Sequence, residues 1–203
     1  MIDYYFSLTS PWAYLGHKTF VTMAKAHGQA IRYFPVFLSD VFQETGGLPL
    51  AKRHPARQNY RMLELQRWRE KRNLPLTLHP KYFPVDPRLA DRIVIALLAD
   101  QKDPESFIQS GFETVWVHDG DLADPVNLSS LLSSNGFDAE RYIKAADSDA
   151  IVSAYENNAR QAIAAGVIGS PCYVRMGEVF WGQDRLDLLE DALQNNRKAF
   201  AII

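Results

Sequence analysis

A single cysteine, Cys172, is the only thiol this chain carries, so no intrachain disulfide can form. Cysteine this sparse suits a reducing compartment, and a cytoplasmic location is expected. Excess charge of either sign is also missing. Lys and Arg number 22 against 24 Asp and Glu, a formal net charge of −2. That balance gives no electrostatic reason to bind nucleic acid or an anionic membrane. No uncharged apolar run approaches the roughly 20 residues of a membrane helix. The start of the chain lacks a basic segment followed by an apolar one, so no signal peptide is expected. Histidines at 17, 27, 54, 79 and 118 form no H-x-x-x-H pair, and there is no C-x-x-C, so no metal site is expected. Internal repeats and low-complexity segments are absent. So is a G-x-S-x-G elbow, which argues against a serine hydrolase.

What remains is an ordinary globular composition, 47% hydrophobic and 23% charged over 203 residues. This length suits one large domain, or a small one with an insertion, and buries a core without staples. Ile2 to Phe6 reads as a strand of β-branched and aromatic residues. From Trp12 to Ala26 the apolar spacing is helical, with Ser10 as N-cap, Pro11 in the first turn and Gly28 as terminator. Ala30 to Phe37 reads as a second strand, whose Pro35 belongs at a sheet edge. This βαβ unit predicts parallel pairing of the two strands. Helical patterns follow at Ala56 to Arg72, Arg88 to Gln101, Pro104 to His118, Asn127 to Asn135 and Asp138 to Ala146. A proline-rich loop, Leu74 to Pro87, interrupts them. After a further helix, Asp149 to Ala165, two short strands return, Cys172 to Met176 and Val179 to Trp181, with Gly177-Glu178 as the turn. Asp184 to Gln194 closes as an amphipathic helix. Deleting the central helices leaves βαβ plus αββα, the order of a thioredoxin. The expected architecture is therefore an α/β thioredoxin-like domain, 1–38 plus 149–203, carrying an all-helical insertion, 39–148.

Three segments carry the candidate chemistry. A redox thioredoxin would place Cys-x-x-Cys at Ser10-Pro11-Trp12-Ala13, where this chain has Ser and Ala at the cysteine positions. The helix start remains, and its backbone N–H groups and dipole favour an anion. Ser10 can serve as a cap, as a hydrogen-bond donor to that anion, or as both. Gly166 to Pro171 is a glycine-rich turn entering a strand through Ser170-Pro171. In this topology that proline is expected to be cis and to face the first helix, leaving the Ser170 peptide group to pair with an extended ligand. Phe180 to Leu186 ends a strand and starts a helix. Asp184 there can cap the helix or bind an ammonium group while neighbouring N–H groups take a carboxylate. Taken together, an anion site, a peptide-pairing site and a γ-glutamyl site outline glutathione.

These segments make the chain similar to 2-hydroxychromene-2-carboxylate isomerases and, more distantly, to kappa-class glutathione transferases of the DsbA-like branch. The resemblance rests on Phe6 to Leu15, Tyr60 to Trp68, His79-Pro80 with Phe83-Pro84-Val85, Gly166 to Pro171, and Phe180 to Arg185. It departs at Gly47 and Asp86, where the family often has Asn, and at Ser170, where it often has Val. The resemblance implies glutathione as cofactor, held by Ser10, Pro11, Ser170, Pro171, Gln183, Asp184 and Arg185. Ser10 would keep the glutathione sulfur as a thiolate, lowered from a free-thiol pKa of about 8.5. The implied reaction is reversible thiolate addition, interconverting 2-hydroxychromene-2-carboxylate and trans-o-hydroxybenzylidenepyruvate in aromatic catabolism. Candidate partners of the substrate carboxylate and enolate are Lys52, Arg53 and Arg57. Trp12, Tyr14 and Trp181 could wall an aromatic substrate, or could equally be core. Cys172 and His17 read as structural residues. A homodimer is implied. The alternatives are a kappa-like transferase or peroxidase acting on another electrophile, and a non-catalytic module that binds glutathione or thiol peptides.

Overall fold

The computed structural model describes residues 1–201. Its sheet runs β2-β1-β3-β4, built from β1 (Ile2–Phe6), β2 (Ile31–Pro35), β3 (Cys172–Arg175) and β4 (Glu178–Trp181). β1 pairs parallel with β2 and antiparallel with β3, and β3 pairs antiparallel with β4. Pro35 therefore lies on an edge strand, where its missing N–H breaks no ladder. Side chains alternate across this sheet. Ile2, Tyr4, Phe6 and Tyr173 join one buried cluster. Tyr5, Cys172 and Val174 face the opposite one with Val36, Val41, Ala162 and Val167.

α1 (Pro11–Ala26) connects the parallel strands and packs on the first face. Its capping follows the sequence reading: Ser10 is extended, its Oγ accepts from Ala13 N, and Pro11 opens the helix. Gly28, at φ 62, ends it in the left-handed region. The central helices are α3 (Pro55–Arg72), α4 (Arg88–Ala99), α5 (Glu105–Trp116), α6 (Pro125–Ser134) and α7 (Ala139–Ala146), preceded by α2 (Leu38–Thr45). α8 (Asp149–Ala164) and α9 (Leu186–Gln194) complete the chain. One buried cluster extends from β1 and α1 through α4, α5, α6 and α7, so the sheet and the central helices share a core.

Two sequence expectations need correction. The hairpin turn is Met176-Gly177, not Gly177-Glu178, because Glu178 pairs with Arg175 in the ladder. Both turn residues have positive φ, 52 and 83, the pattern that matches a two-residue turn to strand twist. The segment between Phe37 and Ala56 also contains the unforeseen α2, whose single buried residue is Val41. Gly46, left-handed at φ 76, ends it.

Candidate functional site

The start of α1 meets the β3 entry as the topology requires. Ser170-Pro171 is cis, as is Phe83-Pro84. Ser10 is 95% buried by its surroundings, with 5% exposure. Its Oγ accepts from Ala13 N at 3.2 Å and donates to Ser170 O at 3.2 Å. Ser170 Oγ in turn accepts from Ser7 N at 3.2 Å. Ser10 is therefore both cap and bridge to the pre-proline peptide. Pro11 has no N–H, Ala13 N–H is taken by Ser10 Oγ, and Tyr14 N–H by Ser10 O. Among the described residues, Trp12 N–H in the first turn and the N–H of Ser170 have no protein acceptor. Two unpaired donors beside a hydroxyl at a helix start form a receptor for a soft anion.

A cleft of about 640 Å³ opens over this point. Its thioredoxin-side wall consists of Ser7, Thr9 to Trp12, Gly169, Ser170 and Trp181 to Arg185. The opposite wall is α2 and α3 with the proline-rich loop: Phe37, Phe42, Arg53, Arg57, Tyr60, Arg61, Glu64, Trp68 and Phe83 to Val85 among them. A close approach places the 183–185 turn on α1. A Cβ on Gly16 would lie 2.6 Å from Gln183 Cβ. Gly182, at φ 105, adopts a conformation that side chains disfavour and swings the chain over the cleft. Gln183 is then buried, its side-chain carbonyl accepting from Arg72 Nε and Nη2 at 3.0 and 2.9 Å. Asp184 and Arg185 stay exposed and paired with each other at 2.8 Å.

Of the residues singled out from sequence, Ser10, Pro11, Trp12, Arg53, Arg57, Ser170, Trp181, Gln183, Asp184 and Arg185 line this cleft. Pro171 is buried behind Ser170. Tyr14 is a correction: it is 2% exposed, tilts against Phe112 and donates to Pro75 O at 2.6 Å. Its position on α1 turns it into the core, away from Trp12. Lys52 is a second correction: it is exposed in the 3-10 turn Leu50–Lys52 and outside the cleft lining. Arg72, Arg61 and Glu64 were missed as site residues, although the last two lie within the Tyr60 to Trp68 motif. Glu64 and Asp184 are the acidic residues of the lining. Their shared cleft, not any local signal, unites them.

The buried titratable groups lie outside this chemistry. Cys172 is fully buried, and burial pushes its thiol up to about 12. It should resist alkylation by iodoacetamide at neutral pH in native protein and react fully in urea. Comparable rates in both states would contradict its placement. His17 stacks between Tyr4 and Phe112, and burial, aided by Lys25, lowers it to about 3. A ring neutral at any working pH and sealed in the core cannot serve as a base for the cleft. Asp91 is also fully buried, accepting from Leu8 N at 3.1 Å and Tyr155 Oη at 2.7 Å. It ties the loop before Ser10 to α4 and α8.

A four-stranded mixed sheet with α1 aimed at a cis-proline defines a thioredoxin-like protein, here with serine and alanine at the two positions of the Cys-x-x-Cys motif. The model of the DSBA-like thioredoxin domain matches residues 1–194. A 2-hydroxychromene-2-carboxylate isomerase of Sphingobium xenophagum is 30% identical over 95% of this chain and 97% of its own. The chain belongs to the 2-hydroxychromene-2-carboxylate isomerase family of DsbA-like thioredoxin domains. The glutathione S-transferase kappa 1 of Caenorhabditis elegans is 25% identical over 95% of this chain and 90% of that protein. A solved structure of a 2-hydroxychromene-2-carboxylate isomerase superposes with a TM-score of 0.84, covering 96% of this chain and 95% of that one at 24% identity. Among the described residues, no helix is long and apolar enough to cross a membrane.

Proposed function

We propose that the protein is a glutathione-dependent isomerase that interconverts 2-hydroxychromene-2-carboxylate and trans-o-hydroxybenzylidenepyruvate. The observation that carries this is the unpaired Trp12 and Ser170 N–H groups flanking a donor hydroxyl, Ser10, at the floor of the cleft. That constellation fits a thiolate held on a peptide. When bound, glutathione supplies the sulfur nucleophile that adds to and leaves the conjugated substrate, allowing rotation about the former double bond. Ser10 turns its proton from Ser170 O toward the sulfur, and the α1 dipole favours the anionic form. The peptide edge at Ser170 aligns the cysteinyl backbone by strand-like pairing. Glu64 and Asp184 offer carboxylates to the γ-glutamyl ammonium in exchange for their exposed partners Arg67 and Arg185. Gln183, fixed by Arg72, holds the turn that presents Asp184. Arg53 and Arg57 offer charge to the carboxylate and to the enolate that develops during addition.

The test is turnover of 2-hydroxychromene-2-carboxylate with and without glutathione. Isomerisation that stops when glutathione is removed is the expected result. Undiminished turnover without it would overturn the reading. The kappa relative favours a second reading, a transferase acting on another electrophile. Stable glutathione conjugates without isomerisation would select that one.

A further inference from the structure

The cleft contains more positive charge than the protein neutralises. Several arginines elsewhere are matched to carboxylates, Arg32 to Asp3, Arg88 to Asp86, Arg141 to Asp100 and Arg197 to Glu178, and others to neutral acceptors, Arg72 to Gln183 and Arg175 to Arg197 O. Arg57 and Arg61 stand four apart on α3, which puts them on one side, Arg53 precedes the helix, and all three line the cleft. None has an acidic partner among the described residues. Of the lining carboxylates, Glu64 pairs with Arg67 and Asp184 with Arg185. Arg53 spends its Nε on Leu48 O and lies over the Phe42 ring at 5.9 Å. Arg57 is exposed to solvent, whereas Arg61 is half-buried and has no oxygen acceptor among the described residues. Its guanidinium lies 5.7 Å from the Phe83 ring, and its Nη1 contacts the Met62 sulfur at 3.7 Å, a weak acceptor. Burial and the charge of Arg53 together pull its pKa down to about 10. Holding a desolvated guanidinium near the charge of Arg53 without an anion costs stability. A ligand that brings the anion removes that cost.

We propose that Arg61 is a specificity-determining residue that, with Arg53, binds an anionic group of the electrophile while the Phe83 ring packs on its planar body. Neutral analogues of the electrophile are discriminated against at this arginine. A guanidinium presents a planar fork to a carboxylate, which an aromatic face alone cannot select. This rests on the reading of the cleft as a site for a conjugated electrophile, but not on glutathione as the nucleophile.

The test measures equilibrium binding of trans-benzylidenepyruvate and of its methyl ester by quenching of tryptophan fluorescence, since Trp12, Trp68 and Trp181 line the cleft. Wild type should prefer the carboxylate to the ester. Arg61→Met, which keeps an unbranched chain over Phe83, should lose tenfold or more for the carboxylate and change little for the ester. Arg61→Lys should fall between. Equal losses for both ligands, no loss, or no wild-type preference would overturn the proposal. Glutathione binding is followed separately by calorimetry. Its absence, with carboxylate selectivity intact, would sink the glutathione-dependent reading and leave Arg61's role standing. A loss confined to glutathione affinity in Arg61→Met would overturn the role instead.

Discussion

Ser10→Ala should fold, bind glutathione, and lose at least about tenfold in isomerisation rate, the equivalent of about 1.4 kcal/mol of transition-state stabilisation. The structure assigns this hydroxyl two structural bonds, accepting from Ala13 N and donating to Ser170 O. Removing a serine cap costs about 1 kcal/mol of stability. Both losses are therefore expected, and they are separable. The cap effect appears as a lower denaturation midpoint with or without ligand. The effect on the sulfur appears as a raised thiolate pKa of bound glutathione, read from ultraviolet thiolate absorbance, and as a pH–rate profile shifted to higher pH. The sign follows from the chemistry: a donor to the anion favours the charged form, so its loss raises the pKa. A variant with a lower midpoint but unchanged rate and thiolate pKa would reduce Ser10 to a cap.

Much of this arrangement is legible in the sequence where local rules decide. β1 reads from its β-branched and aromatic run, α1 from Ser10-Pro11 and Gly28, and the edge position of β2 from Pro35. Legibility fails where tertiary contact decides. Tyr14 and Trp12 are two residues apart on α1, and one goes to the core while the other lines the cleft. From Ala13 to His17 every residue of that helix is buried, so apolar period carries no information about which side faces the site. α2 escaped because Leu38–Thr45 buries only Val41, too little for a periodic pattern. Met176-Gly177 escaped because Met seldom adopts positive φ, which made Gly177-Glu178 the natural turn. Arg72 braces Gln183 across 111 residues, and Asp91 holds Leu8 across 83, separations at which no motif forms. The arginine row was half visible: Arg53 and Arg57 were read as candidates, but Arg61 lay inside what looked like ordinary helix.

Asp91 supports the prediction with the largest expected effect on stability. Burial pushes its carboxyl from 3.8 up to about 8, against the opposing pull of bonds from Tyr155 and Leu8. The folded protein thus holds a proton on Asp91 across a range where the unfolded chain has released it. Below about pH 4 both states are protonated and the full benefit is present. Between about 4 and 8 the folded state binds more protons, so this contribution falls as pH rises, and above about 8 it levels off. One pKa unit corresponds to about 1.4 kcal/mol, so between pH 5 and 7 the loss approaches about 3 kcal/mol. Asp91→Asn mimics the neutral form. Its oxygen can still accept from Leu8 N, and its amide can donate to Tyr155 Oη. Urea unfolding should therefore show a stability difference between Asp91→Asn and wild type that grows in the variant's favour from pH 5 to 8. Asp91→Ala should instead be destabilised at every pH by about 1–3 kcal/mol for each buried partner left unpaired, Leu8 N–H and Tyr155 Oη. Because Leu8 lies two residues before Ser10, Asp91→Ala should also slow turnover by loosening the loop that aims the hydroxyl, whereas Asp91→Asn should not. A constant gap between Asp91→Asn and wild type over pH 5 to 8 would mean that Asp91 is ionised in the folded protein, contrary to the expectation from its burial.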